Sequence, residues 1–144
     1  LRVPNDFHKL YRQYAEHPLS RHIVSKIDAM VIYDQIRRYR PTHCVELGSG
    51  LGTATSIIAM AMEANGHGKI TALEQHEWMM TLAEELMLPA HKTRVSFVRA
   101  DPEVRRMCNE DWTCYQFAHT SADIDFVVVD GPAPWHGPRR LGGG

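Results

Sequence analysis

Along the first forty residues apolar side chains recur at three- and four-residue intervals, a helical pattern that Pro18 divides into a short segment over 7–15 and a longer one beginning near Ser20. In the longer segment Ile23, Val24, Ile27, Met30, Val31 and Ile36 share one helical face, and Pro41 ends it, because a proline disfavours helical geometry in the residue before it. The pattern then changes. Residues 42–47 form a short apolar run that enters glycines at 48, 50 and 52, which reads as a buried strand leading into a tight loop. An Ala- and Met-rich helix follows over 53–63, closed by Asn65-Gly66. Next come a strand over 69–73 ending at Glu74 and a helix over 77–88, with Trp78, Leu82 and Leu86 as its buried stripe and Pro89 as its stop. A third strand over 95–98 runs into Arg99-Ala100-Asp101, and a fourth over 124–129 ends at Asp130. Between them, 104–108 reads as a short helix and 112–117 as an extended aromatic segment.

Strands alternating with helices predict an α/β domain with a Rossmann-like, doubly wound, mainly parallel sheet of about four core strands in the order 3-2-1-4. Continuous apolar strands agree, since a parallel sheet is covered on both faces. Residues 1–40 form a helical segment packing on the sheet and 41–144 the nucleotide-binding core, within a single domain. The fourth strand would be an exposed edge, so dimerisation or cover by the amino-terminal helices is expected.

The chemistry gathers at one edge of this sheet. Glu46, Glu74, Asp101 and Asp130 all stand at or just beyond the carboxyl ends of strands, where open parallel sheets bind ligands. In the loop Glu46-Leu47-Gly48-Ser49-Gly50-Leu51-Gly52 the third glycine comes one residue earlier than in the dinucleotide fingerprint Gly-x-Gly-x-x-Gly, and Thr53 takes its place. Glu46 would repel a pyrophosphate but suits a cationic ligand. Glu74, 22 residues after Gly52, can accept hydrogen bonds from ribose hydroxyls, with Gln75 beside it.

Composition narrows the partners. The 144 residues carry a net charge of −1 with Lys and Arg dispersed, so no nucleic-acid partner is indicated. Apolar stretches fall far short of the ~20 residues that span a bilayer and no signal segment opens the chain, so a cytoplasmic protein without membrane attachment is expected. Cys44, Cys108 and Cys114 are read as free thiols, and the nine scattered histidines form no metal-ligand spacing.

The runs 45–52, 70–74, 98–101 and 125–132 together resemble the ordered motifs of the class I S-adenosylmethionine-dependent methyltransferases. The resemblance covers roughly residues 20–140 and implies S-adenosyl-L-methionine as cofactor. It places Gly48, Ser49, Gly50 and Gly52 under the methionine part, Glu46 near the amino group, and Glu74 with Gln75 at the ribose. Ala100 and Asp101 would lie at the adenine edge, and Asp130 would face the methyl group or the acceptor. A full domain of this family has seven strands and this chain supplies about four, so a fragment lacking the carboxyl-terminal part is expected. The metal-dependent members need ligands from a later segment, and none is assigned here.

The expected reaction is methyl transfer to a small-molecule acceptor, at oxygen, by an in-line displacement in which the protein chiefly aligns the reactants. Asp130 and His136 are the candidate bases. Trp135 would wall an acceptor pocket or anchor its loop, and Arg139 and Arg140 would meet an anionic substrate or stand in solvent. Two alternatives stay open: a non-catalytic nucleotide-binding module of the same fold, and a NAD-dependent oxidoreductase, which the glycine spacing opposes.

Overall fold

A computed structural model of the chain describes residues 1–117 and 123–131. Three helices precede or flank the first strand: α1 (Asn5–Ala15), α2 (Lys26–Tyr39) and α3 (Thr53–Asn65), with a 3-10 turn at Ser20–His22. Strand β1 (His43–Leu47) lies between α2 and α3, and β2 (Lys69–Glu74), α4 (Glu77–Leu86), α5 (Pro89–Lys92) and β3 (Val95–Arg99) follow. The chain continues through β4 (Pro102–Met107), β5 (Glu110–Tyr115) and β6 (Phe126–Val129). The core sheet has the order β3-β2-β1-β6 with every pair parallel, so the predicted order stands with β6 as the fourth core strand.

Helix α3 is the centre of the core. Gly52 and Gly66 bound it in left-handed conformations, and Ile57, Ile58, Ala61 and Met62 are completely buried. On one side of the sheet Cys44, Ile70, Ala72, Val95, Phe97, Phe126 and Val128 form one cluster with residues of α1 to α4. Tyr14 of α1 reaches Ser56 of α3 through a buried 2.6 Å hydroxyl pair. The ends of α2 and α3 are tied by Asn65, whose amide donates to the Ile36 carbonyl while Arg37 donates to its side-chain oxygen. At the opposite end of the sheet Asp125 accepts from the Thr42 and His43 backbone N–H groups at 2.7 and 2.8 Å, joining β6 to β1.

Four local expectations are corrected. Helix α2 begins at Lys26, capped by Ser25, which accepts from the Asp28 N–H; the predicted start at Ser20 is instead a 3-10 turn. Its buried stripe is Ala29, Tyr33 and Ile36, whereas Ile27 is 70% exposed and Val31 also faces outward. Capping thus shifts the helix start and rotates the expected face. Trp78 is exposed rather than buried, and Ala83 is the fully buried residue of α4. That helix stops at Leu86, before Pro89, which opens α5 in the first-turn position where its missing N–H costs nothing.

The largest correction lies between β3 and β6. Where a short helix was expected over 104–108, residues 102–115 form an antiparallel hairpin, with Pro102 opposite Tyr115 and Met107 opposite Glu110. Its two turn residues, Cys108 and Asn109, both take positive φ, at 52° and 63°. Two consecutive positive φ values are what a two-residue hairpin turn needs, and Asn adopts them readily. The hairpin base meets the second sheet face, where Tyr115 and Phe117 pack with Leu47, Leu73, Val98 and Ala100.

Candidate functional site

Four parallel strands end on one edge, and the loop from β1 to α3 folds over it. Gly48 and Ser49 donate their N–H groups to the Leu73 carbonyl at 3.0 and 2.9 Å, which ties the loop to the end of β2. Gly48 has φ +90°, and a Cβ there would stand 2.9 Å from the Cα and N of Gly131. Only a glycine lets the two loops close to this distance. Gly50, also at positive φ, has nothing within 4 Å of a Cβ position, so its exposed side looks into open space.

That space is a cavity of about 460 Å³, lined by the glycine loop, the start of α3, the residues after β2, Tyr115, and Asp130-Gly131. Its size falls within the range of small-ligand pockets. Of the expected site residues, Gly48, Ser49, Gly50, Glu74, Gln75 and Asp130 line it. Gly52 is turned away, against Ala83 of α4. Ala100 is buried beside Leu73 and Tyr115, and its N–H donates to the Glu74 carbonyl. Asp101 is directed outward and pairs with Arg99 at 2.9 Å, so neither of these two residues reaches the cavity wall. His136, Trp135, Arg139 and Arg140 lie outside the described residues.

Glu74 is the hub of the loop. One carboxylate oxygen accepts from the Gly50 N–H at 2.9 Å, and the other accepts from the N–H groups of Gln75 and His76 at 2.9 and 3.1 Å. A carboxylate offers about four acceptor positions, so roughly one stays open to a ligand hydroxyl.

Glu46 lies completely buried beneath the cavity. One oxygen accepts from the Thr55 hydroxyl and the other has no partner. Burial pushes its pKa up to about 8, against the opposing effect of the Thr55 hydrogen bond, and the Asp130 and Glu74 charges push the same way as burial. Asp130, half-buried at the cavity wall, is likewise raised by burial and by the charge of Asp28. Among the described lining residues there is no Lys or Arg, so the fixed charges are carboxylates. Three further polar atoms in the wall are buried without a partner: Ser49 Oγ, Thr53 Oγ1 and the Gln75 side-chain oxygen. Buried polar groups normally find partners, and these atoms leave hydrogen-bonding capacity unused at the cavity wall.

Several lining residues were not expected from the sequence. His22, Ile23 and Val24 come from the turn between α1 and α2, His76 and Met79 from the start of α4, and Tyr115 from the hairpin. The only local sign was the aromatic, strand-like character of 112–117. Among the described residues no group of three or more His, Cys, Asp or Glu could hold a metal ion, and no helix is long and apolar enough to cross a membrane. The three cysteines are free, as expected.

No protein-family model and no curated protein matches the sequence. Solved structures do. The S-adenosylhomocysteine-bound methyltransferase PaMTH1 of Podospora anserina superposes with a TM-score of 0.53 at 16% identity, over 67% of this chain and 42% of its own. The O-methyltransferase TomG of Streptomyces achromogenes, in complex with S-adenosylmethionine, gives 0.53 at 16% identity, over 69% of this chain and 44% of its own. A candidate protein-L-isoaspartate O-methyltransferase of Plasmodium falciparum gives 0.50 at 12% identity, over 67% and 56%. The chain thus has the Rossmann-like fold of the S-adenosylmethionine-dependent methyltransferases, and it spans less than half the length of the first two.

Proposed function

We propose that the chain binds S-adenosyl-L-methionine in this cavity and forms the cofactor-binding part of a methyltransferase acting on an oxygen of a small molecule. The observation that carries the reading is the conjunction, at one cavity of a methyltransferase fold, of an open glycine loop, the carboxylates Glu74 and Asp130, and buried hydroxyls without partners. The cofactor is a cation at sulfur and at its amino group, which suits walls whose fixed charges are carboxylates. A pyrophosphate would meet those same carboxylates at a cost, and this disfavours NAD.

When bound, the cofactor supplies a methyl group already activated by the sulfonium. What this chain contributes is binding and orientation. Gly50 gives room for backbone approach, and Glu74 accepts from a ribose hydroxyl with its open position while holding the Gly50 N–H with the other. Asp130 borders the acceptor side, and its raised pKa makes the carboxylate more basic, which favours taking up a proton from an acceptor hydroxyl. The oxygen acceptor is also what the printed descriptions of the TomG and Plasmodium proteins indicate for those proteins. A small acceptor fits the cavity volume. A cytoplasmic setting and a homodimer joined through the β6 edge belong to the same reading.

Calorimetric titration with S-adenosylmethionine, S-adenosylhomocysteine and NAD tests it. Binding of the first two without NAD is expected; NAD alone would overturn it, and no binding at all would favour a module of this fold without ligand. Glu74→Ala is expected to weaken cofactor binding by about 1.5–3 kcal/mol through loss of charge-assisted hydrogen bonds.

A further inference from the structure

Charge that is dispersed along the sequence is sorted by the fold. Carboxylates stand at the carboxyl ends of the strands, around the cavity, while at the amino end of β2 three arginines from distant parts of the chain converge on one turn, Asn65-Gly66-His67-Gly68. Arg37, in the last turn of α2, donates to the Asn65 side-chain oxygen at 2.7 Å, and Arg40, which caps the same helix, donates to the Asn65 carbonyl at 2.9 Å. Arg94, just before β3, donates to the Gly68 carbonyl at 3.1 Å. His67 joins the group, its Nε2 lying 2.9 Å from the Arg40 carbonyl.

These three guanidiniums meet neutral oxygens only. Arg99, Arg105 and Arg106 each pair with a carboxylate, as Arg38 does with Asp34, whereas Arg37, Arg40 and Arg94 form no ion pair among the described residues. Residues 118–122 and 132–144 contain no Asp or Glu that could supply one. Glu63, the acid nearest the turn in sequence, is directed to His91. The ends of α2 and α3 meet at this turn, and each carries about half a negative charge, so together they offset roughly one of the three positive charges. About two remain. Each guanidinium uses only one N–H of its fork on the turn, and a Cβ on Gly66 would meet nothing within 4 Å, so the surface over the turn is open.

We propose that Arg37, Arg40 and Arg94, gathered with His67 on the 65–68 turn, form a binding site for a phosphate monoester group, at the end of the sheet opposite the cofactor cavity. The uncompensated charge matches the charge of about −2 on such a group near neutral pH, and planar guanidinium forks suit its oxygens. A carboxylate would neutralise only half of it. The site does not depend on the cofactor reading, since it shares no residue with the cavity.

The test follows backbone amide chemical shifts of the full chain during titration with inorganic phosphate at constant ionic strength, with acetate as the singly charged control. Saturable shifts at Gly66, His67 and Gly68 are expected, with affinity for phosphate about tenfold or more above that for acetate. The double variant Arg37→Gln/Arg94→Gln, whose glutamine amides can still donate to the turn, should lower that affinity about tenfold or more with the Tm of the ligand-free protein little changed. Arg99→Gln, which removes an arginine already paired with Asp101, should leave it unchanged. A phosphoserine peptide separates the sources: binding well above that of inorganic phosphate assigns the group to a phosphorylated protein, and equal binding assigns it to a free phosphate compound. Either supports the site. Shifts confined to the 48–52 loop, phosphate no tighter than acetate, or undiminished affinity in the double variant overturns it. A Tm several degrees lower in that variant overturns it as well, since the guanidiniums would then be spent on holding the turn.

Discussion

The two faces of the core sheet are built in different ways. On one, α1 to α4 bury a continuous cluster in which Cys44, Ile70 and Ala72 lose almost all contact with solvent. On the other, the described residues supply only the hairpin base, packed over Leu47, Leu73 and Val98, while Val127 and Val129 of β6 stay 51% and 71% exposed. The expectation that both faces would be covered is met along the helical side and, on the other, at Val45 and Leu73, which are 3% and 0% exposed. The helical face thus holds the larger cluster, and the second also carries Tyr115 to the ligand edge. The same difference separates the two loops of the site. The glycine loop is tied to β2 by several backbone hydrogen bonds, whereas the hairpin reaches the cavity through one aromatic side chain.

Substitutions sharpen this contrast. The largest effect is expected on the helical face, where Ile57→Ala should cost about 2–5 kcal/mol in denaturant unfolding, because α3 cannot collapse around the lost volume. Gly48→Ala comes next, at about 2–3 kcal/mol, since its Cβ would meet Gly131 backbone and its φ suits only glycine. Gly50→Ala, with open space before it, should cost only about 1–2 kcal/mol of backbone strain, and a difference in unfolding midpoint between the two variants checks the close approach.

Glu46 gives the helical face a pH dependence. In the unfolded chain its carboxyl ionises near the ordinary value, but in the folded protein it holds its proton up to about pH 8. Between those values the folded state binds more protons, so stability falls as pH rises through this window and levels off above it. The slope from this group approaches about 1.4 kcal/mol per pH unit, and it should disappear in Glu46→Gln. Persistence of the slope in that variant would remove Glu46 as its source.

Asp125, at the seam between β1 and β6, behaves in the opposite sense. Burial works to raise its acidity constant, but the hydrogen bonds from Thr42 and His43 outweigh it and hold the constant below the usual value. Its contribution is present above the ordinary carboxylate range and is lost as pH falls through the lowered value. Asp125→Asn should cost about 1 kcal/mol at neutral pH, read as a lower unfolding midpoint. The smallest effect is expected at Val129→Thr, within about 0.5 kcal/mol, since that side chain is exposed. A cost as large as at Ile57 would mean that this face is covered in solution.

Much of the scaffold was legible in the residues, and for identifiable reasons. Glycines 48, 50 and 52 between an apolar run and a helix marked the ligand loop, because few other residues tolerate those conformations. Alternating apolar runs marked the parallel strands, and the acids at their ends marked the edge. Less was legible where local preference and distant contacts disagree. Trp78 has the hydrophobicity of a core residue but lies on the outer side of α4, and Ile27 falls outside the stripe once Ser25 caps α2. The hairpin had no glycine to announce its turn, since Cys108 and Asn109 take positive φ in its place.

What the chain's own pattern determined was the order of elements and the edge at which its acids gather, because hydrophobic period and glycine spacing act through neighbours a few positions away. Only the tertiary structure decided which acids face the cavity. Glu74 and Asp130 border it, Glu46 is sealed beneath it, and Asp101 turns outward to Arg99. It alone brought Tyr115 beside Gly131, since that approach depends on a hairpin folding across the ends of strands far apart in sequence.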